Sequence, residues 1–136
     1  MDRRTFIALT AATATLPFAA SADILDYTPG LVQERLAKGE TVFLDFTASW
    51  CSTCRSQGRT IQALKATNPA YGQTVTFIDV DWDTYGTSGL AQSLQIPRRS
   101  TLVVLKGDQE LGRIVAQTGQ SEIQALMDTA LSAATS

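Results

Sequence analysis

The 136-residue sequence has no histidine, only two cysteines and no run of basic residues. The absence of histidine excludes catalysis by an imidazole group and removes the commonest transition-metal ligand. The net charge is −2, so the charge balance does not indicate a nucleic-acid partner. The length suits a single domain, and the 44% of hydrophobic residues can supply its core.

The first 22 residues have the composition of an export signal. Arg3-Arg4 give a positive start, residues 6–20 are apolar and rich in alanine and threonine, and Ala20-Ser21-Ala22 fits a cleavage site. The arginine pair is compatible with both the twin-arginine and the general secretory routes. The apolar stretch is too short and too rich in threonine for a membrane span. We expect residues 1–22 to be removed and residues 23–136 to form one domain in a bacterial periplasm.

The two cysteines form a single motif, Cys51-Ser52-Thr53-Cys54. A hydrophobic, strand-like run precedes the motif, and a helix-like run begins at Ser52. A thiol at a helix N-terminus meets unpaired N–H groups and the positive end of the helix dipole, both of which favour the reactive thiolate. Cys54 lies one helical turn further on the same face, so it can close a disulfide with Cys51 after a first attack. The spacing therefore favours dithiol–disulfide exchange.

Other interpretations of the cysteine pair have less support. A structural disulfide fits an oxidising compartment, but closing a four-residue loop restrains the unfolded chain little. A closed zinc site needs four ligands, and the sequence offers two thiols and no histidine. A binding module that holds copper(I) through the two thiols stays open as an alternative function, although no methionine lies near the motif.

Hydrophobic periodicity predicts the order helix, strand, helix, strand, helix, hairpin, helix. The strands are expected at 41–47, 74–80, 101–105 and 111–116, and the helices at 31–38, 52–68, 89–94 and from 119 or 120 onward, with a frayed tail at 132–136. Alternating strands and helices imply parallel pairing, and the hairpin adds an antiparallel edge. The predicted fold class is α/β, with a mixed sheet of four to five strands flanked by helices on both faces. The cysteines fall at the carboxyl end of the central strand, where sites of open α/β sheets lie.

The segment from Asp45 to Arg55, Asp-Phe-Thr-Ala-Ser-Trp-Cys-Ser-Thr-Cys-Arg, resembles the motif segment of the thioredoxin family. Within that family, the segment is more similar in sequence to the periplasmic C-terminal domain of the membrane electron transporter DsbD. In that domain an Asp-Trp pair follows the next strand, and Asp81-Trp82 has the same position here. The resemblance implies the thioredoxin fold, with Cys51 as the attacking thiol and Cys54 as the resolving thiol. We expect Cys51 to lie at the exposed start of the helix and Cys54 to be more buried.

Asp45 is a carboxylate in a strand that is apolar on both sides. Burying a charged carboxylate is costly unless it is paired or protonated. Either the strand lies at an edge and Asp45 meets water, or Asp45 has a function. The resemblance implies the second alternative, in which Asp45 accepts the proton of the Cys54 thiol during exchange.

The chain departs from the family at the residue that faces the motif, where relatives carry a cis-proline. The facing strand starts at Thr101, so Ser100 takes that position, and the rival alignment assigns it to Pro97 with a three-residue insertion. With Ser100 we expect a trans peptide bond, because a non-proline cis bond costs about 3 kcal/mol. A hydroxyl would then replace an apolar ring near Cys51.

Three residues near the motif are candidates for docking a partner: Trp50, Arg99 and Ser100. Trp50 either covers the motif and shapes the docking surface or is a plain core aromatic. Arg98-Arg99 either bring positive charge to the site, favouring the thiolate or an acidic partner, or form a solvated loop pair.

We therefore predict a periplasmic thiol–disulfide oxidoreductase that acts on protein disulfides, with a redox-active disulfide and no bound cofactor. The reducing direction is favoured because Ser52-Thr53 brings no charge to the motif, and an oxidant or isomerase is the alternative. A reductant in the periplasm needs electrons from outside that compartment. A membrane dithiol transporter of the DsbD type is the implied partner, and the protein is expected to be a monomer.

Overall fold

The computed structural model describes residues 24–136, so the predicted export segment lies outside the described residues. Within this range the strands form one mixed sheet in the order β1-β3-β2-β4-β5. The strands are β1 (Leu25–Asp26), β2 (Thr41–Thr47), β3 (Thr76–Asp81), β4 (Thr101–Lys106) and β5 (Gln109–Val115). β3 pairs in parallel with β1 and β2, whereas β4 is antiparallel to β2 and β5. The mixed sheet, the central β2 and the closing hairpin confirm the predicted α/β class.

Six helices accompany the sheet in the described range: α1 (Leu31–Ala37), α2 (Ser52–Thr67), α3 (Ala70–Thr74), α4 (Trp82–Tyr85), α5 (Gly89–Ser93) and α6 (Gln120–Ala134). None of the helices in residues 24–136 is long and apolar enough to cross a membrane.

Several predicted boundaries were wrong. The expected strand at 74–80 begins later, because residues 70–74 form α3, whose Tyr71 is buried and donates a hydrogen bond to Asp128. The segment directly after β3, for which no helix is predicted, forms α4, where the Thr84 hydroxyl donates to Asp81 at 2.6 Å. Of the tail expected to fray, residues 132–134 continue α6, and Ala134 packs against the core.

The central strand β2 separates two apolar layers. Its side chains alternate between the faces of the sheet, as strand geometry requires. Phe43 packs with residues of α2, α3 and α6, whereas Val42, Leu44 and Phe46 pack with residues of α1 and α5. Asp45 follows the alternation of Phe43 and therefore points toward α2.

We expect Ile123→Ala to lower the free energy of unfolding by about 2–5 kcal/mol, because it leaves a cavity in the layer beneath α6. Ile123 is completely buried in that layer. Gln124→Ala on the exposed side of the same helix is the control, with an expected change within about 0.5 kcal/mol. Urea unfolding measures both. Equal changes in the two variants would contradict the assigned face of α6.

Candidate active site

The two cysteines lie where β2 ends and α2 begins. Cys51 is the N-cap of α2, and its sulfur accepts a hydrogen bond from the Cys54 backbone N–H at 3.2 Å. The two residues form a disulfide, with their Cα atoms 5.2 Å apart. The sulfur of Cys51 thus has a helix N-terminal N–H group as a partner, the kind of donor that stabilises a thiolate.

The expectation that Cys51 would be the more exposed cysteine was wrong. Both cysteines are only 2% exposed. Cys51 and Cys54 form a small buried cluster with Ala48, and the half-buried Trp82 packs against that cluster. Trp82 also contacts Phe46 edge-to-face, with ring centroids 6.5 Å apart. The aromatic ring and the loop before β4 together cover the sulfurs.

Ser100 brings a hydroxyl against both sulfurs. Its Oγ lies 3.3 Å from the sulfur of Cys51 and 3.0 Å from that of Cys54, and the residue is completely buried. Because disulfide sulfurs carry no proton, the hydroxyl is the donor, and its single proton serves two acceptors. Pro97 lies exposed in the loop three residues earlier. The structure therefore places Ser100, not Pro97, against the sulfurs.

The backbone at Ser100 has a conformation that proline does not adopt. Its φ is +64°, and no peptide bond within residues 24–136 is cis. Its N–H donates to the Phe46 carbonyl at 2.7 Å, whereas proline has no N–H and a φ near −65°. The backbone conformation at position 100 is therefore one that serine can adopt and proline cannot.

Gln57 anchors the same loop from α2. Its Nε2 donates to the carbonyl of Ser100 at 3.0 Å and to that of Gln117 at 2.9 Å, and the side chain is completely buried. The Ala116 N–H donates to the Ser100 carbonyl as well, at 2.9 Å. Sequence reasoning missed Gln57. The available signal was an amide three residues after Cys54, on the buried face of a helix.

Asp45 is buried beneath the cysteines. It is 8% exposed, and it lines a cavity of about 490 Å³ together with Cys54. Its Oδ1 has no hydrogen-bond partner within the described residues. Burial first, and then the neighbouring carboxyl of Asp79, raise the pKa of Asp45 well above its usual range. The alternative that β2 is an edge strand and Asp45 meets water was wrong.

Trp50 is exposed beside the motif, so the core-aromatic alternative for this residue was wrong. Its ring is 55% exposed, and the indole N–H donates to both carboxylate oxygens of Asp83, at 3.0 and 3.1 Å. The Arg99 guanidinium lies over the ring, 4.5 Å from its centroid. Asp83 was not predicted, because it is 33 residues away from Trp50 in the sequence.

The remaining charged groups lie at the margin of the site. Arg55 is exposed and donates to the Ser49 carbonyl at 3.1 Å, whereas Arg98 donates to the Arg99 carbonyl at 3.0 Å. Among residues 24–136, no group of three or more histidine, cysteine or acidic side chains is arranged to hold a metal ion.

A cysteine pair at the start of the first long helix, beside the central strand of this mixed sheet, defines a thioredoxin-fold dithiol protein. The thioredoxin family model matches residues 25–129. The chain therefore belongs to the thioredoxin family.

Individual relatives support the same assignment. A thioredoxin H-type from Fagopyrum esculentum is 32% identical over 83 residues, which are 61% of this chain and 66% of that protein, just under two thirds. A thioredoxin from Mycolicibacterium smegmatis is 24% identical over 71% of this chain and 83% of its own length. Trxlp from Edwardsiella tarda is a similar solved structure, with 27% identity and a TM-score of 0.66. That comparison covers 76% of this chain and 98% of the other.

We expect Ser100→Ala to raise the pKa of the Cys51 thiol in the reduced protein by about one to two units. The reason is that a hydrogen bond to a charged group is worth about 1.5–3 kcal/mol. Titration of the thiolate absorbance measures the pKa. Ser52→Ala, which alters an exposed hydroxyl within the motif, is the control. Equal pKa values in Ser100→Ala and the unaltered protein would show that the hydroxyl does not stabilise the thiolate.

We expect Asp45→Asn to raise the free energy of unfolding at neutral pH by at least about 1 kcal/mol. In the unfolded chain Asp45 ionises near its ordinary pKa of about 3.9, whereas burial in the folded chain raises its pKa and disfavours the carboxylate. Asp45 therefore destabilises the fold increasingly as pH rises above about 4, and the gain from asparagine should vanish at about pH 3. Urea unfolding at both pH values measures this. Asp108→Asn in the exposed β4–β5 turn is the control, and a pH-independent gain would contradict the expectation.

Proposed function

We propose that the protein is a thiol–disulfide oxidoreductase that exchanges disulfides with protein substrates through Cys51 and Cys54. The observation that carries the proposal is the pairing of these sulfurs at the N-terminus of α2, where Cys51 accepts a backbone N–H bond. The family assignment supports the same chemistry. The two electrons are carried by the reduced Cys51 and Cys54 thiols and are given up when their disulfide forms, so the proposal includes no bound cofactor.

The exchange proceeds in two substitutions at sulfur. The Cys51 thiolate attacks a substrate disulfide, forms a mixed disulfide and releases one substrate thiolate. Cys54 then loses its proton to the Asp45 carboxylate, and its thiolate attacks the sulfur of Cys51. The second substrate thiolate leaves as the Cys51–Cys54 bond forms. Two electrons have passed from the protein to the substrate.

Each neighbour of the sulfurs has a role in this sequence. The Ser100 hydroxyl and the Cys54 N–H are placed to stabilise the Cys51 thiolate. Asp45, which shares a cavity with Cys54, is the nearby base whose raised pKa suits it to take a thiol proton. The exposed Trp50 ring, with the Arg99 guanidinium lying over it, forms the surface on which a substrate chain docks.

We propose the reducing direction, because the contacts of the sulfurs are a neutral hydroxyl and a backbone N–H. Strong oxidants of this chemistry stabilise the reduced form, which raises their potential. The uncharged Ser52-Thr53 dipeptide inside the motif supports the same direction.

The proposed location is the periplasm, which the composition of residues 1–22 supports. A periplasmic reductant must be reduced again from outside that compartment, so a membrane dithiol transporter of the DsbD type is the proposed electron donor.

We expect Cys54→Ser to accumulate mixed disulfides through Cys51, because the first attack proceeds and the resolving thiol is missing. Non-reducing gels and mass spectrometry of the captured proteins measure this, and Cys51→Ser, which should capture none, is the matched control. A copper(I)-binding module would show no capture with either variant.

Equilibration of the unaltered protein with glutathione tests the direction of the reaction. A potential near the thioredoxin value of about −270 mV is expected, and one near the DsbA value of about −120 mV would overturn the reducing assignment.

A further inference from the structure

Three aspartates stand in one row across neighbouring parallel strands. Asp26 on β1 is in register with Asp79 on β3, and Asp79 is in register with Asp45 on β2. In-register residues of neighbouring parallel strands point to the same face, with the strands about 4.8 Å apart. Exposure decreases along the row, from the exposed Asp26 through the half-buried Asp79 to Asp45, which is 8% exposed. The row therefore leads from the surface to the carboxyl beneath the cysteines.

Asp79 also joins two cavities. It lines the cavity of about 490 Å³ that contains Asp45 and Cys54. It lines a second cavity as well, of about 380 Å³, together with Asp26 and Asp81. Asp45 lines the first cavity, and its Oδ1 has no hydrogen-bond partner within the described residues. Asp79 is thus the acidic group between this carboxyl and the outer cavity.

We propose that Asp79 relays the proton that Asp45 takes from Cys54, and that the proton leaves the protein at Asp26. The proposal rests on the proposed function, in which Asp45 is the acceptor. Cys54 S–H becomes a thiolate as the Asp45 carboxylate becomes a carboxylic acid. Asp45 passes the proton to the Asp79 carboxylate, directly or through water in the shared cavity, and Asp79 releases it to water beside Asp26. No electrons move along this route.

The electrostatics suit such a relay. Burial first, and then the charge of Asp26, raise the pKa of Asp79 to about 6, whereas Lys65 opposes the shift. At neutral pH, Asp79 is therefore mostly a carboxylate that can accept a proton. The charged groups around it come from β1, β2, its own strand and α2, and they are Asp26, Asp45, Asp81, Lys65, Arg55 and Arg59.

The first test is the rate at which reduced protein cleaves a protein disulfide such as that of insulin, measured under single-turnover conditions from about pH 5 to 9. Asp79→Asn removes a negative charge beside Asp45 and blocks the relay. We expect the midpoint of the pH–rate profile to move about one pH unit lower in this variant. We also expect the reaction at neutral pH to be about three- to tenfold slower. Asp79→Glu should restore the profile in part, and Asp26→Asn should have a smaller effect than Asp79→Asn.

Comparison of Asp45→Asn with Asp79→Asn separates failure of the relay from failure of the proposed function, and Asp108→Asn is the control. Asp108→Asn, in the exposed turn, should leave the profile unchanged. If Asp45→Asn slows the reaction and Asp79→Asn matches the unaltered protein, the relay is refuted and the role of Asp45 stands. If Asp45→Asn itself has no effect, the proton step of the proposed function fails, and the relay fails with it. Loss of partner capture in Cys54→Ser would instead contradict the exchange chemistry.

A second measurement needs no variant. Carbon NMR of the side-chain carboxyls follows Asp45 and Asp79 in the unaltered, reduced protein as the pH changes. We expect the two groups to titrate as a coupled pair, each showing both steps, because each carboxylate disfavours ionisation of the other. Independent single-step curves for the two residues would overturn the relay.

Discussion

One backbone hydrogen bond, from the Ser100 N–H to the Phe46 carbonyl, holds the candidate site together. It ties the loop before β4 to the end of β2, which is the strand that delivers the cysteines. With this bond in place, the Ser100 hydroxyl lies between the two sulfurs, and the Ser100 carbonyl is free to accept bonds from Gln57 and Ala116. A proline cannot make this bond. Ser100 therefore fixes the loop through its own backbone N–H group and at the same time places a hydroxyl group against the two sulfurs.

The site also depends on a conflict within the central strand. β2 is buried along almost its whole length, as the middle of the sheet must be, yet it includes the carboxyl of Asp45. Apolar surroundings and a second carboxyl make ionisation of Asp45 unfavourable. A side chain chosen for stability alone would be apolar at this position. The fold tolerates the carboxyl because the two apolar layers on either side of β2 are extensive. Asp45 therefore lowers the stability of the fold at the position where, in the proposed function, it accepts the Cys54 proton.

Local patterns in the sequence were enough to predict the elements with strong periodicity. β2, α2, the β4–β5 hairpin and α6 were all found, because long apolar patterns report a buried face directly. β1 has two residues and α4 has four, too few to show a period. In the site, the motif placed the cysteines and Asp45. The burial of Cys51 and the contact of Trp50 with Asp83 were not predictable, because they depend on segments brought together only by the folded sheet.

The contacts of Trp50 affect how much side-chain conformational entropy this residue would lose when a partner binds. An exposed aromatic side chain ordinarily samples several rotamers and loses that freedom when a partner covers it. Here the indole N–H is bonded to Asp83 and the ring face lies against Arg99, so its orientation is fixed by two contacts in the free protein. Much of the side-chain entropy, about 0.5–1.5 kcal/mol for an immobilised residue, is already lost when the chain folds. A partner that docked on Trp50 would therefore meet a side chain whose orientation is already fixed, and it would have to fit the ring as it stands.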